Sequence, residues 1–210
     1  MAGSPSAALS PACRSAGWKK HRSRVDAKLE LKDIFKNKPI QNSICQIGIS
    51  SVGEVVQLDI TNAPHLLVVG TTGSGKSVFL NVLIANFVAM GNDAEVYLID
   101  PKEVEFAPYN DAWKTTNIID VYYSYFEALH IIKTAVNTMK YRYKWLSEHG
   151  YKSVQKTNGL FKNIYIIIDE IGDLIQKDTS GEFATLLCEL ARKSRAAGIH
   201  LIIASQRATT

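Results

Sequence analysis

The stretch GTTGSGKS, Gly70 to Ser77, fits the spacing G-x-x-x-x-G-K-[ST]. The apolar run HLLVVG precedes it and SVFLNVLIANFVAM follows it, so the loop joins a strand to a helix. Those residue types in that order suit phosphate binding. Gly70, Gly73 and Gly75 permit backbone conformations closed to other residues. The loop, with Thr71, Thr72 and Ser74 between the glycines, can then aim successive N–H groups at an anion, at the positive end of the helix dipole. Lys76 is spaced to reach the β and γ phosphates of a nucleoside triphosphate such as ATP, and the Ser77 hydroxyl to hold Mg²⁺. The competing reading, a Gly-rich turn that binds nothing, does not account for the flanking strand and helix.

Such a loop needs an acid at the end of a second apolar strand, and IYIIIDE supplies two. Asp169 is placed to hold the Mg²⁺ shell, and Glu170 to polarise an attacking water as general base. Read alone, the pair also suits a solvated strand end followed by a helix cap. Gln206 follows another apolar strand, HLIIAS, at the edge where α/β folds gather ligands. A neutral amide there can touch a γ-phosphate or the lytic water; an ordinary polar strand terminus is the alternative. Asp100 and Lys102, in IDPK, follow a further strand and read as site-shaping residues.

The elements that must position these residues are legible in outline. SICQIGIS and EVVQLDI alternate apolar with polar around Ser51–Gly53, as a hairpin does. HLLVVG, continuously apolar, predicts a strand buried on both faces. The helix after the loop is apolar nearly all round and is expected to be buried, ending near Gly91. AEVYLID, IYIIID and HLIIAS complete four predicted strands. Residues 124–149 place Phe126, Leu129, Ile132, Val136, Met139, Tyr143 and Leu146 on one helical stripe, and GEFATLLCELARKSRAAG predicts another helix closed by Gly198. LKDIFKN reads as a short helix or turn. Strands alternating with helices predict an α/β fold with a mostly parallel sheet flanked by helices, preceded by a small β-hairpin region. The expected organisation is a basic disordered tail over 1–28, a β-rich lead-in over 29–62 and a nucleotide-binding core over 63–210.

Composition bounds the alternatives. With 46% hydrophobic and 21% charged residues, the chain belongs to the ordinary globular class. No apolar run reaches the roughly 18 residues of a membrane span, so no membrane segment is expected. Cys13, Cys45 and Cys188 are scattered, with no metal-ligand spacing, and suit a reducing cytoplasm. Residues 1–24 carry Arg14, Lys19, Lys20, Arg22 and Arg24 and no acid, which fits a tail or a leader segment. Removing those five from 24 basic residues leaves 19 against 20 acidic ones, so any nucleic-acid contact must be a local patch. The clusters at 140–144 and 192–195 are candidates for it, or solvated helix faces.

From about Leu31 to Thr210 the sequence resembles the motor domain of the FtsK/SpoIIIE DNA translocases, within the HerA–FtsK superfamily of P-loop ATPases. The resemblance rests on APHLLVVGTTGSGKS, LIDPKEVEFAPYND, MKYRYKWLSEHG, IIIDEIGDL and ARKSRAAGIHLIIASQRAT. It implies a RecA-like core with Walker A and Walker B motifs, assembling as a homo-hexamer around double-stranded DNA and moving it at the expense of ATP. It implies that Gln206 senses the γ-phosphate. It implies that Arg195, of the RAAG segment, is offered in trans to a neighbouring subunit's ATP; a helix-terminal cation is the plainer reading. Arg142 and Tyr143 match a family helix, with structural roles equally open, and Arg207 matches the family's QR. It also implies further strands beyond Thr210, one of them beside HLLVVG, which without it is an exposed apolar edge, so the sequence is expected to be part of a motor. A secretion ATPase of the same superfamily moving polypeptide, and an ATP-binding module without motor activity, are the alternatives.

Overall fold

A computed structural model describes residues 44–90, 93–109 and 119–206. The expected tail and the LKDIFKN element lie outside them, as do Gly91 and Arg207. An antiparallel hairpin comes first, β1 (Ile44–Ile49) with β2 (Val55–Asp59). A five-stranded parallel sheet follows, built from β3 (His65–Val69), β4 (Ala94–Ile99), β5 (Ile119–Tyr122), β6 (Asn163–Ile168) and β7 (Ile199–Ser205) in the order β3-β7-β6-β4-β5. The helices are α1 (Lys76–Ala89), α2 (Tyr125–Glu148), α3 (Ile171–Lys177) and α4 (Glu182–Lys193).

The pleat of β6 explains the two cores. Its alternate residues Ile164, Ile166 and Ile168 pack with α2 and α4, while Tyr165 and Ile167 pack with α1 and the hairpin's Cys45. A strand covered on both faces reads as a continuous apolar run, which is why IYIII was conspicuous in the sequence. Tyr165 stacks on Phe87 of α1, with ring centroids 3.9 Å apart. Asn86, one of two asparagines that interrupt the apolar run of α1, is buried and clips the hairpin to the core. Its Nδ2 donates to the Gln46 carbonyl (3.0 Å) and to that of Val82 (2.7 Å), and its Oδ1 accepts the Gln46 N–H (2.7 Å).

α2 starts at a capping box: Ser124 Oγ accepts the Glu127 N–H and Glu127 Oε2 accepts the Ser124 N–H. α4 runs into a 3₁₀ turn, Ser194–Ala197, closed by Gly198 at φ 68°.

Three expectations are corrected. The parallel sheet has a fifth strand, β5; at four residues, with the exposed Asp120 inside it, its apolar signal is too short to read. The buried stripe of α2 is Ala128, Ile131, Ile132, Ala135, Val136, Met139, Arg142 and Leu146. Phe126, 78% exposed, and the exposed Tyr143 lie off it, because the apolar surface of this helix is wider than the strip the sheet covers. β3 is not buried on both faces. It pairs with β7 at one edge of the sheet, and Leu67 and Val69 are 71% and 46% exposed, uncovered among the described residues.

Among the described residues, no helix is long and apolar enough to cross a membrane.

Candidate active site

Four strand ends make the site, three of them carrying the phosphate loop, the acidic pair and Gln206. Because β3, β7 and β6 are adjacent and parallel, the loops after Val69, Ser205 and Ile168 leave the same edge of the sheet side by side. The Gly70 N–H donates to the Ser205 carbonyl at 3.1 Å, seating the loop's first residue on β7.

Residues 70–77 then turn through Gly73 (φ 80°) and Gly75 (φ 93°), the left-handed region open to glycine. A Cβ at Gly70 would meet the Ser74 hydroxyl, so any other residue there would force the Ser74 side chain to move. Thr71, Thr72, Gly73, Gly75, Lys76 and Ser77 line a cavity of 380 Å³, whereas Gly70 and Ser74 are not among its lining residues. Lys102, Val104, Glu105, Asp169 and Gln206 close the other side.

Lys76, the first residue of α1, is held by an acid. Its Nζ donates to Asp169 Oδ1 (2.7 Å) and to the Asp169 backbone carbonyl (2.8 Å), and both side chains are nearly inaccessible. Burial pushes the Asp169 carboxyl above its ordinary range, and the hydrogen bond and charge of Lys76 pull against that. A hydroxyl (Ser77) and a carboxylate (Asp169) on one cavity are a hard-oxygen donor set of the kind Mg²⁺ takes, so the residues present fit that ion.

Glu170 is buried beside Asp169 but faces elsewhere. Its Oε1 accepts the Ser205 hydroxyl (3.1 Å) and its Oε2 the Gln206 backbone N–H (3.0 Å). It lines a second cavity of 340 Å³ with Lys102, Gly172, Asp173, Gln176, Ser205 and Gln206. Gln206, exposed, lines both cavities.

Asp100 is fully buried and shapes the loop opposite. Its two carboxylate oxygens accept the N–H groups of Lys102 (3.2 Å) and Phe106 (2.9 Å), which turns residues 101–105 toward the cavity. Lys102 Nζ reaches Asp173 Oδ2 at 3.6 Å, across the floor between the two cavities. Glu105 and Ser205 are site residues that sequence reasoning passed over. Glu105 lay inside the quoted IDPKEVEF segment, and Ser205 directly before Gln206.

Arg195 is not brought to this cavity. It sits in the 3₁₀ turn before β7, so the strand's length, about 20 Å, separates it from the phosphate loop. Its Nε donates to the Thr61 carbonyl at 3.1 Å. Arg142 is structural: buried on α2, it donates to the Ala197 carbonyl at 2.7 Å and stacks over Phe161. The Tyr143 hydroxyl donates to the Lys193 carbonyl. Together they pin the turn that carries Arg195.

The family model for FtsK/SpoIIIE matches residues 30–165, which include the phosphate loop and end within β6, before Asp169 and Glu170. The chain belongs to the FtsK/SpoIIIE family. Among curated relatives, a DNA translocase FtsK from Caldanaerobacter subterraneus subsp. tengcongensis is 37% identical over 170 residues, 77% of this chain and 23% of the relative. The DNA translocase SpoIIIE of Bacillus subtilis is 32% identical over 201 residues, 86% and 25% respectively. The chain therefore spans about a quarter of the length of these relatives. Among solved structures, the pCW3 conjugation coupling protein TcpA, determined with ATPγS, matches at TM-score 0.70 and 31% identity, over 88% of this chain and 54% of that one. The cytoplasmic domain of the Thermomonospora curvata type VII secretion ATPase EccC matches at TM-score 0.68 and 22% identity, over 87% and 25%, a likeness of fold. The RecA-like expectation agrees with these P-loop neighbours: a parallel sheet between helices, with a separate hairpin in front.

Proposed function

We propose that this FtsK/SpoIIIE family chain is part of an ATP-dependent motor that translocates double-stranded DNA, with residues 63–210 as its catalytic core. The observation that carries the reading is the convergence of Lys76, Ser77, Asp169 and Gln206 on the single cavity walled by the glycine-bearing loop. Backbone N–H groups of residues 71–77 and the N-terminus of α1 receive the phosphates of ATP. Lys76 exchanges its Asp169 partner for the β and γ phosphates. Ser77 and Asp169 hold Mg²⁺, which when bound neutralises charge on the phosphates. Glu170 takes the proton of the attacking water, and the Gln206 amide contacts the γ-phosphate or that water.

The distance of Arg195 from its own loop supports a role in trans. In a homo-hexamer it meets a neighbour's ATP and makes hydrolysis depend on assembly. The chain works in the cytoplasm, on duplex DNA. The DNA translocases among its relatives support that substrate.

The deciding experiment measures ATP hydrolysis with and without long duplex DNA across a range of salt. Stimulation that weakens steeply as ionic strength rises is the expected result. Stimulation by a secreted polypeptide in place of DNA assigns the chain to secretion, and ATP binding without turnover under any condition reduces it to a nucleotide-binding module.

A further inference from the structure

Ser205 is the last residue of β7, and it touches both halves of the site. Its carbonyl accepts the Gly70 N–H of the phosphate loop, while its buried hydroxyl donates to Glu170 Oε1. The next N–H along the chain, that of Gln206, donates to the other oxygen of the same carboxylate. Glu170 is thus gripped at both oxygens by consecutive residues of one strand end. Gripped there, it lines the 340 Å³ cavity and is absent from the walls of the cavity that Lys76, Ser77 and Asp169 share.

We propose that Ser205 is a positioning residue that biases the Glu170 carboxylate away from the phosphate cavity, a bias that nucleotide engaging the end of β7 relieves only in part, so that the grip still limits turnover. The inference rests on the reading of Glu170 as general base. Hydrogen bonds to a carboxylate are charge-assisted and stronger than neutral ones, so two donors from one strand end fix its pose in the second cavity. Releasing it requires only a side-chain rotation, because the backbone beside it is fixed: the Asp169 N–H donates to the Ile99 carbonyl on β4. The trigger is close at hand. Gln206 lines both cavities, so a γ-phosphate that draws on its side-chain amide pulls on the residue whose backbone N–H holds Glu170. The strand end therefore links occupancy of one cavity to the pose of the acid in the other.

The test compares the full chain with its Ser205→Ala and Ser205→Thr variants in steady-state ATP hydrolysis without DNA. Ser205→Ala removes one of the two donors, and its kcat is expected to rise by about tenfold, the scale of one hydrogen bond to a charged group, at unchanged KM. Ser205→Thr keeps the hydroxyl and the wild-type rate. In a Glu170→Gln background, Ser205→Ala adds nothing. An unchanged or lower kcat for Ser205→Ala, absence of turnover in both proteins included, overturns the proposal. So does a rise of equal size in the Glu170→Gln background. Wild-type hydrolysis by Glu170→Gln alone overturns the reading of the base; a silent Glu170→Gln with no acceleration by Ser205→Ala overturns the grip and leaves that reading standing. If Ser205→Ala does not fold, Ser205→Cys carries the same expectation, since a thiol of similar shape is a weak donor.

Discussion

Lys76 Nζ lies 2.7 Å from Asp169 Oδ1, so the cation that would grip a phosphate is engaged by the carboxylate that would hold a metal. The pair is buried, and removing one partner strands the other's charge. Lys76→Ala is therefore expected to lose nucleotide binding and also to destabilise the fold, by about 3 kcal/mol, the lower end for a broken buried pair. Calorimetric unfolding with and without ATP and Mg²⁺ separates the two effects: wild type gains melting temperature from nucleotide, and the variant starts lower and gains none. A variant that melts like wild type contradicts the burial of the pair.

The hydrogen bonds of Glu170 run to Ser205 and Gln206, outside the phosphate loop. Glu170→Gln keeps the size of the side chain and removes its ability to take a proton. Nucleotide affinity, followed by a fluorescent ATP analogue, is expected to stay within about threefold, while hydrolysis falls by a factor on the order of 10²–10⁴, the usual contribution of a general base. Parallel losses in affinity and hydrolysis point instead to a role in holding the loop.

The phosphate loop was legible because its constraint is local: two left-handed glycines, a close approach of Gly70 to Ser74 and a cation at the head of a helix leave a spacing that survives in one dimension. Asp169 and Glu170 were legible because β6, covered on both faces, makes a conspicuous apolar run that ends on them. Ser205 had no such pattern. Its partner Glu170 is 35 residues away, and only the adjacency of β6 and β7 brings them together. Which way Glu170 faces is likewise a property of strand order. Arg142 read as part of a basic cluster on a family helix, with a structural role equally open, and its burial depends on the Ala197 carbonyl and Phe161, which converge on it from distant segments. β3 shows the opposite error: an all-apolar strand reads as doubly buried, whereas only one of its faces is packed.

Asn86 ties two parts of the molecule with one amide, through its bonds to the Gln46 backbone and the Val82 carbonyl. Asn86→Ala deletes all of them inside the core and is expected to cost about 2–3 kcal/mol. The loss should be local first. Hydrogen exchange over residues 44–59 speeds up, while β6 and β7 keep their protection, since their ladders do not involve Asn86. Equal acceleration across the parallel sheet would instead make the hairpin an integral part of the sheet's stability.

His200, fully buried in β7, sets an acid limit on the fold. Its ring faces the Pro64 carbonyl at 3.1 Å; a carbonyl only accepts, so Nδ1 carries the proton, and Nε2 has no partner among the described residues. Tyr165 stacks against the ring, with His65 and Arg142 adding positive charge nearby. Burial is the largest cause that pushes its pKa from 6.5 down to about 4. A depressed histidine pKa means that the unfolded chain binds the proton first. Stability is therefore full above pH 6.5 and lost as pH falls toward 4, by about 3 kcal/mol from this residue alone. His65, lowered in the same direction by burial, adds to the slope. In urea unfolding at steps between pH 7 and 4, His200→Phe should flatten the decline relative to wild type, because it keeps the stacking surface and removes the titration. Parallel curves for the two proteins over that window would show that His200 takes up its proton as readily in the fold as outside it.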